Sequence, residues 1–172
     1  MMIKIKENHG WIGKLRLIKK DMITGKIITN RLIFNRLMNS ALNEVIKTLY
    51  GTGETDLLLK HVAIGDDDTA NLDTMTTLVN EIYRVPIISK IKTGTGIITS
   101  TAILLDTEPT DLSGIVTIKE IGFFCGSQSI NWTEGSGKDT GLMISRIILD
   151  PVESKTATEQ INFVREDEFT RG

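Results

Sequence analysis

Several features of common protein classes are scarce in this chain of 172 residues. Its one cysteine, Cys125, cannot form a disulfide within the chain, so synthesis in a reducing compartment is expected. Aromatic residues make up only 5% of the sequence, and β-branched residues must supply most of the strand propensity. The 20 basic residues are scattered and balanced by 22 acidic ones, which argues against nucleic acid as a partner.

Long apolar runs are also missing. No run is long enough to cross a bilayer, and Met1-Met2-Ile3-Lys4-Ile5-Lys6 alternates without the apolar segment of a signal peptide. We therefore expect no membrane partner. The sequence also shows no internal repeat, no heptad pattern and no collagen-like shaft, and its length suits one domain that buries its own core.

Short β-rich segments separated by turn residues dominate the rest of the sequence. The turn residues 20–25 lie between two such segments and predict an N-terminal hairpin, and Gly94-Thr95-Gly96 predicts a second one. Other strands are predicted over residues 58–64, 115–125, 142–149 and 159–164. This spacing predicts a mainly β fold, an antiparallel β-sandwich with an N-terminal hairpin and one amphipathic α-helix.

The helix is predicted over residues 36–50, with Asn35 as its N-cap and Gly51 at its C′ position. Its apolar residues recur at helical spacing: Leu37, Met38, Ala41, Leu42, Val45, Ile46 and Leu49. A single amphipathic helix is not stable alone, so we expect this stripe to pack on the sheet or on a neighbouring subunit.

The predicted domain covers residues 1–164, with the hairpin and helix in residues 1–56 and the sandwich body in residues 57–164. The last residues, 165–172, are mostly charged and are expected to form a C-terminal arm.

Candidates for catalysis or metal binding are few. The acidic loop of residues 66–73 could offer carboxylates to Ca²⁺, but the Gly and Glu that an EF-hand needs are missing, and a solvated turn is favoured. His9 and His61 are far apart, with no Cys or His cluster for zinc, and His61 is expected at the surface or an interface. Cys125 is expected to be a small core residue. The sequence therefore predicts no catalytic residue, no metal and no cofactor.

Three short sequence motifs, called phrases below, follow one another along the chain. They are His61-Val62-Ala63-Ile64-Gly65-Asp66, Leu78-Val79-Asn80-Glu81-Ile82-Tyr83-Arg84 and Ile118-Lys119-Glu120-Ile121-Gly122-Phe123-Phe124. In this order they resemble the bacteriophage tail-fibre and tail-collar proteins, in which a strand ending in Ala-x-Gly precedes Asn-Glu-x-x-Arg and an Ile-x-Glu-Ile-Gly-Phe strand. The later phrase Gly141-Leu142-Met143-Ile144-Ser145-Arg146, followed by Asp150-Pro151, is similar to the family's Leu-hydrophobic-Ala-Arg strand and proline turn.

The resemblance implies a non-enzymatic virion structural protein, made in the cytoplasm of the bacterial host and located in the virion. Tail fibres usually continue into a shaft, whereas this chain stops after the domain, so a tail, collar or baseplate adaptor that attaches or organises fibres is expected. The implied partners are other copies of the chain, as a trimer or a virion ring, and other tail, neck or baseplate proteins.

Two other functions stay open. The chain could decorate a capsid head. It could also be a carbohydrate-binding β-sandwich module, in which Trp11, Trp132, Tyr50 and Tyr83 would stack on sugar rings.

Three charged residues within the phrases, Glu81, Arg84 and Glu120, are predicted to form a structural ion pair. Glu120 shares a strand face with apolar residues and needs a partner, for which Arg84 is the expected residue and Arg146 an alternative. An acid pair for hydrolysis is the competing interpretation.

Two further residues are predicted to contact a partner or a neighbouring subunit. Trp132 lies in the long loop of residues 126–141, and Phe169 is the only large apolar residue of the arm. Packing of the arm on its own domain is the alternative.

Overall fold

The computed structural model describes residues 10–52, 57–110, 114–133 and 136–170. The N-terminal residues 1–6 and His9 lie outside these ranges. In chain order the elements are β1 (Gly10–Asp21), β2 (Ile27–Leu37), α1 (Asn39–Leu49), β3 (Leu59–Gly65), β4 (Glu81–Gly94), β5 (Ile97–Leu104), β6 (Val116–Cys125), β7 (Leu142–Lys155) and β8 (Glu159–Thr170). The predicted mainly β fold, with an N-terminal hairpin and one helix, is confirmed.

The strands form one antiparallel sheet that closes into a barrel in the order β1-β2-β7-β6-β3-β4-β5-β8. Two strands turn corners: β4 pairs with β3 as far as Pro86 and with β5 from Ile87 onward, and β2 pairs with β1 and then, at Arg36 and Leu37, with β7. The structure therefore differs from the expected sandwich, because the two layers share these strands. Alternation in a sequence reveals the faces of a strand but not its long-range pairing.

Inward-facing side chains fill the barrel. Leu15 and Leu17 of β1, Phe123 of β6 and Phe163 of β8 are at most 1% exposed, and each such burial stabilises the fold by roughly 1.5–3 kcal/mol. A second apolar cluster includes Ala63, Leu78, Phe124 and Met143. Because side chains alternate along a strand, this cluster lies on the outer face of β3, β6 and β7, so this part of the wall is covered on both sides.

The start of the helix differs from the prediction. Arg36 and Leu37 pair with β7, so the strand continues past Asn35, and α1 begins only at Asn39 with Met38 as its N-cap. The predicted N-cap is therefore wrong. The C-terminal prediction is confirmed, because Gly51 follows the C-cap with a φ of 74°.

The charged C-terminal residues belong to the barrel wall. β8 runs to Thr170 and pairs with β1 on one side and with β5 on the other. The predicted arm is thus corrected: residues 165–170 are the second half of a strand, and residues 171–172 lie outside the described part of the chain. The sequence was misleading because the charges of this segment find partners on both faces of the sheet.

Candidate functional site

Two arginine–glutamate pairs are buried on the outer face of β7, β6, β3 and β4. The guanidinium of Arg84 binds Glu81 through two hydrogen bonds, Nε to Oε1 at 2.6 Å and Nη2 to Oε2 at 2.7 Å. Arg146 Nε donates to Glu120 Oε2 at 2.6 Å. All four side chains are fully buried, so each charge depends on its partner.

Small residues on the strands between the pairs make room for these long side chains. Ala63 of β3 lies opposite both Arg84 and Gly122, and Gly122 in turn lies opposite Arg146. The guanidinium carbon of Arg84 lies 4.6 Å from the centre of the Phe124 ring, which adds a cation–π contact.

Gly65 has a similar role in the next row, where it lies opposite both Glu81 and Glu120. A Cβ atom at Gly65 would lie 2.6 Å from the carbonyl oxygen of Asn80 and would also collide with the Glu120 carboxylate. The Ala-x-Gly phrase of β3 therefore provides the space in which the charged residues of β4 and β6 pair.

The Glu81–Arg84 pair also holds the loop of residues 126–141. Glu81 Oε2 accepts a hydrogen bond from the backbone N–H of Asp139 at 3.1 Å. Arg84 Nη1 donates to both the carbonyl oxygen and the hydroxyl of Thr140, each at 2.9 Å. Removing either charged residue would leave its partner buried without a counter-charge and would remove one of the anchors of this loop.

The Glu120–Arg146 pair holds the other loop, residues 66–80. Glu120 accepts hydrogen bonds from the backbone N–H groups of Val79 and Asn80 at 3.2 and 2.9 Å. Arg146 Nη1 donates to the carbonyl oxygen of Thr69 at 2.8 Å. Each ion pair thus anchors one loop to the outer face of the barrel.

The structure has the pairing of the alternative rather than of the first expectation. Arg84, the first expected partner of Glu120, binds Glu81 of its own strand, and Glu120 binds Arg146, its alternative partner. Glu120 and Arg146 are 26 positions apart, and only the register of β6 and β7 brings them together.

His61 is buried, which corrects the expectation of a surface or interface residue. Its exposed fraction is 4%, and its ring lies between Ser129 and Asn131. Nδ1 is 2.7 Å from Ser129 Oγ, and Nε2 is 2.8 Å from Asn131 Oδ1. Because the amide oxygen can only accept, Nε2 carries the proton and Nδ1 accepts from the serine hydroxyl. No sequence motif reveals this cluster, since its members are 68 and 70 positions apart.

The cluster combines a hydroxyl with a base, but its surroundings favour a structural role. Ser129 is only 5% exposed. The backbone N–H groups of Ser129 and Ile130 already donate to Gly126 O and Thr140 Oγ1, so neither is free to stabilise an oxyanion. Burial lowers the pKa of His61, the hydrogen bond with Asn131 opposes this shift, and the charge of Arg84 adds to it.

The acidic loop uses its carboxylates locally. Asp66 Oδ1 accepts from the side-chain amide of Asn80 at 2.6 Å, Asp67 accepts from the N–H of Thr69 at 2.7 Å, and Asp68 lies 3.6 Å from Lys119. Within the described ranges there is no group of three or more His, Cys, Asp or Glu side chains that could hold a metal ion.

The two predicted partner contacts have neighbours within the chain. The Phe169 ring stacks on Trp11 with the ring centres 5.0 Å apart, and 49% of Phe169 is exposed. The Trp132 ring lies 5.3 Å from Tyr83 and packs against the barrel core. Phe169 adjoins the β4–β5 turn through its N–H bond to Gly96, whereas Tyr83 is near the other end of β4, so these aromatic residues form two separate pairs.

In the part of the chain that the structure covers, no helix is both long and apolar enough to cross a membrane. Comparison with known proteins finds no match, whether with a family model, a curated protein or a solved structure.

Proposed function

We propose that this chain is a non-enzymatic structural subunit of a bacteriophage virion, a tail, collar or baseplate adaptor that attaches or organises fibres. The proposal places it in the virion, bound to other copies of itself and to other tail, neck or baseplate proteins. It starts from the ordered phrases that resemble the tail-fibre and tail-collar proteins.

The observation that carries the proposal is that the charged residues of those motifs pair with one another and anchor loops. Glu81, Arg84, Glu120 and Arg146 are buried and paired with one another, and their remaining hydrogen bonds go mostly to loop backbone. Carboxylates engaged in this way fix loops on a barrel and are poorly placed to attack a substrate. This arrangement suits a rigid building block whose surface loops meet other proteins.

Mass measurement of the purified chain tests this function most directly. We expect native mass spectrometry to show a homo-oligomer, and a larger complex when the chain is mixed with tail, neck or baseplate proteins encoded beside it. A strictly monomeric chain that binds none of these neighbours would contradict the proposal.

The absence of enzymatic activity is tested separately. The purified protein is incubated with host-cell polysaccharide and peptidoglycan, alongside the Glu81→Gln and Glu120→Gln variants. We expect no hydrolysis by any of them. Hydrolysis by the parent protein that is abolished in a variant with the parent's circular dichroism spectrum would show that the buried acids are catalytic.

A further inference from the structure

The apolar stripe of α1 is only partly covered by the described part of the chain. Ala41 is 2% exposed, but Leu42, Ile46, Leu49 and Tyr50 at the end of the helix are 45, 53, 83 and 81% exposed. Their spacing places them on one side of the helix, away from Ala41. These four exposed side chains form a convex apolar surface, the α1 ridge.

A concave apolar surface lies beside the ridge. It is a groove of about 400 Å³ at the end of the barrel that holds Trp11 and Phe169. Leu58, which precedes β3, and Ile98 of β5 also line it, and they are 60 and 43% exposed. Val45 of α1 lines the same groove, so the ridge and the groove are adjacent parts of one apolar surface.

We propose that the α1 ridge of one copy packs into the groove of a second copy. A chain that carries both halves of a contact side by side can associate with itself, either reciprocally in a dimer or from copy to copy around a closed ring. This inference rests on the proposed function, which requires a subunit that assembles, and it identifies the two surfaces that meet.

The exposed area is sufficient for such a contact. The four ridge side chains, at these exposures, offer on the order of 500 Å², so a reciprocal contact that covers the ridge of each copy buries roughly 1,000 Å² before the grooves are counted. Specific interfaces begin near this size, and monomeric proteins rarely leave larger apolar patches uncovered. An amphipathic helix commonly packs into an apolar groove through residues at positions i, i+4 and i+7, which is the spacing of Leu42, Ile46 and Leu49.

The first test compares the masses of matched variants by analytical ultracentrifugation. Leu49→Glu changes the ridge, Leu58→Glu changes the groove, and Ile23→Glu changes a residue of the β1–β2 turn that is 79% exposed. We expect the parent protein and Ile23→Glu to be oligomers, and the ridge and groove variants to sediment at the monomer mass of 19.1 kDa. Circular dichroism spectra should be alike for all four proteins, because the changed residues are exposed, whereas loss of assembly should lower the melting temperature of the ridge and groove variants.

The second test identifies the contact directly. Leu49→Cys and Ile98→Cys proteins are prepared separately, mixed and oxidised; Cys125 is buried, so the new thiols react first. A disulfide that joins one chain of each kind, at a yield well above either protein alone, is the expected result. An oligomer whose mass is unchanged by Leu49→Glu and Leu58→Glu would overturn the inference.

Failure of the inference and failure of the proposed function give different results. A monomer that uses the ridge and groove to bind a neighbouring tail protein would overturn self-association and leave the virion role intact. An oligomer that forms through these surfaces but binds no tail, neck or baseplate protein would support self-association and count against the virion role.

Discussion

At the scale of single residues, the buried charges determine which substitutions this fold tolerates. Arg84 and Arg146 are among its largest fully buried side chains. A buried ion pair adds little net stability over apolar residues of the same size. Breaking one pair is costly, because the remaining charge is then neither paired nor hydrated. The structure should therefore be sensitive to loss of one partner at these positions.

Arg84→Ala should lower the free energy of unfolding by about 3 kcal/mol, because it leaves the Glu81 carboxylate buried and unpaired. Urea denaturation of the purified protein measures this change. Lys119→Ala is the matched control, since the pair of Lys119 and Asp68 is open to solvent in part and its loss should cost less than about 1 kcal/mol. Equal stability of Arg84→Ala and the parent would show that Arg84 is not held as the structure indicates.

Gly65→Ala should destabilise the protein by roughly 1–3 kcal/mol, because the added methyl group meets the Asn80 carbonyl at 2.6 Å and displaces Glu120. Gly10→Ala is the control, as no atom lies within 4 Å of a Cβ at that position. Thermal melting of both variants compares them. If Gly65→Ala melts at the same temperature as the parent protein, the close packing of β3 against the ion pairs does not contribute to stability.

At the scale of elements, the two loops on the outer face of the barrel depend on residues of distant strands. Residues 66–80 are held from β6 and β7, and residues 126–141 are held from β3 and β4. The loop sequences suggest mobile surface segments, since they are rich in small and polar residues. Their anchors lie in strands that become neighbours only when the barrel closes.

The attachment of residues 126–141 through His61 should depend on pH. The folded chain resists protonation of His61 because burial lowers its pKa below the ordinary value of 6.5, and nearby Arg84, Lys60 and Lys90 act in the same direction. The unfolded chain takes up this proton near pH 6.5, so the stability that neutral His61 confers is complete above that pH and declines as the pH falls below it.

The His61→Gln variant tests this dependence, because glutamine can keep hydrogen bonds to Ser129 and Asn131 but does not titrate. Between pH 7.5 and 5.5 the parent protein should lose more unfolding free energy than the variant, as measured by urea denaturation at each pH. The same loss in both proteins would assign the acid sensitivity to other groups.

At the scale of the whole molecule, closure of the barrel depends on β8. Its second half supplies Arg165 and Asp167 to the interior, where Asp167 Oδ1 also accepts a hydrogen bond from Trp11 Nε1 at 2.7 Å. Glu166 and Glu168 face outward and bind Lys14 at 3.1 Å each. This segment thus joins β1 to β5 and completes the sheet.

Deleting residues 165–172 should therefore abolish cooperative unfolding, because β1 and β5 lose the second half of the strand between them and Trp11 loses its hydrogen bond to Asp167. Circular dichroism melting and limited proteolysis report the change. Deleting only residues 171 and 172 is the control, since β8 ends at Thr170. A truncated chain that melts cooperatively at the parent temperature would show that the barrel closes without this segment.

The sequence by itself determined the features that arise from neighbouring residues. Alternation and turn residues predicted the strands and the hairpins, helical spacing predicted α1, and the charges of Glu81, Arg84 and Glu120 on apolar strands indicated that each needs a partner. These features are local because they depend on backbone preference and on the face that a residue shares with its near neighbours.

Only the tertiary structure decided which strands pair, and the features that the sequence did not predict follow from that pairing. Register places Arg146 beside Glu120, closes two expected layers into one barrel, buries His61 and turns a charged C-terminal segment into a central strand. Arg165 and Asp167 illustrate the reason. Their charges predict solvent exposure when the segment is considered alone, but between β1 and β5 they bind each other, so neither charge is buried unpaired while the strand pairs on both sides.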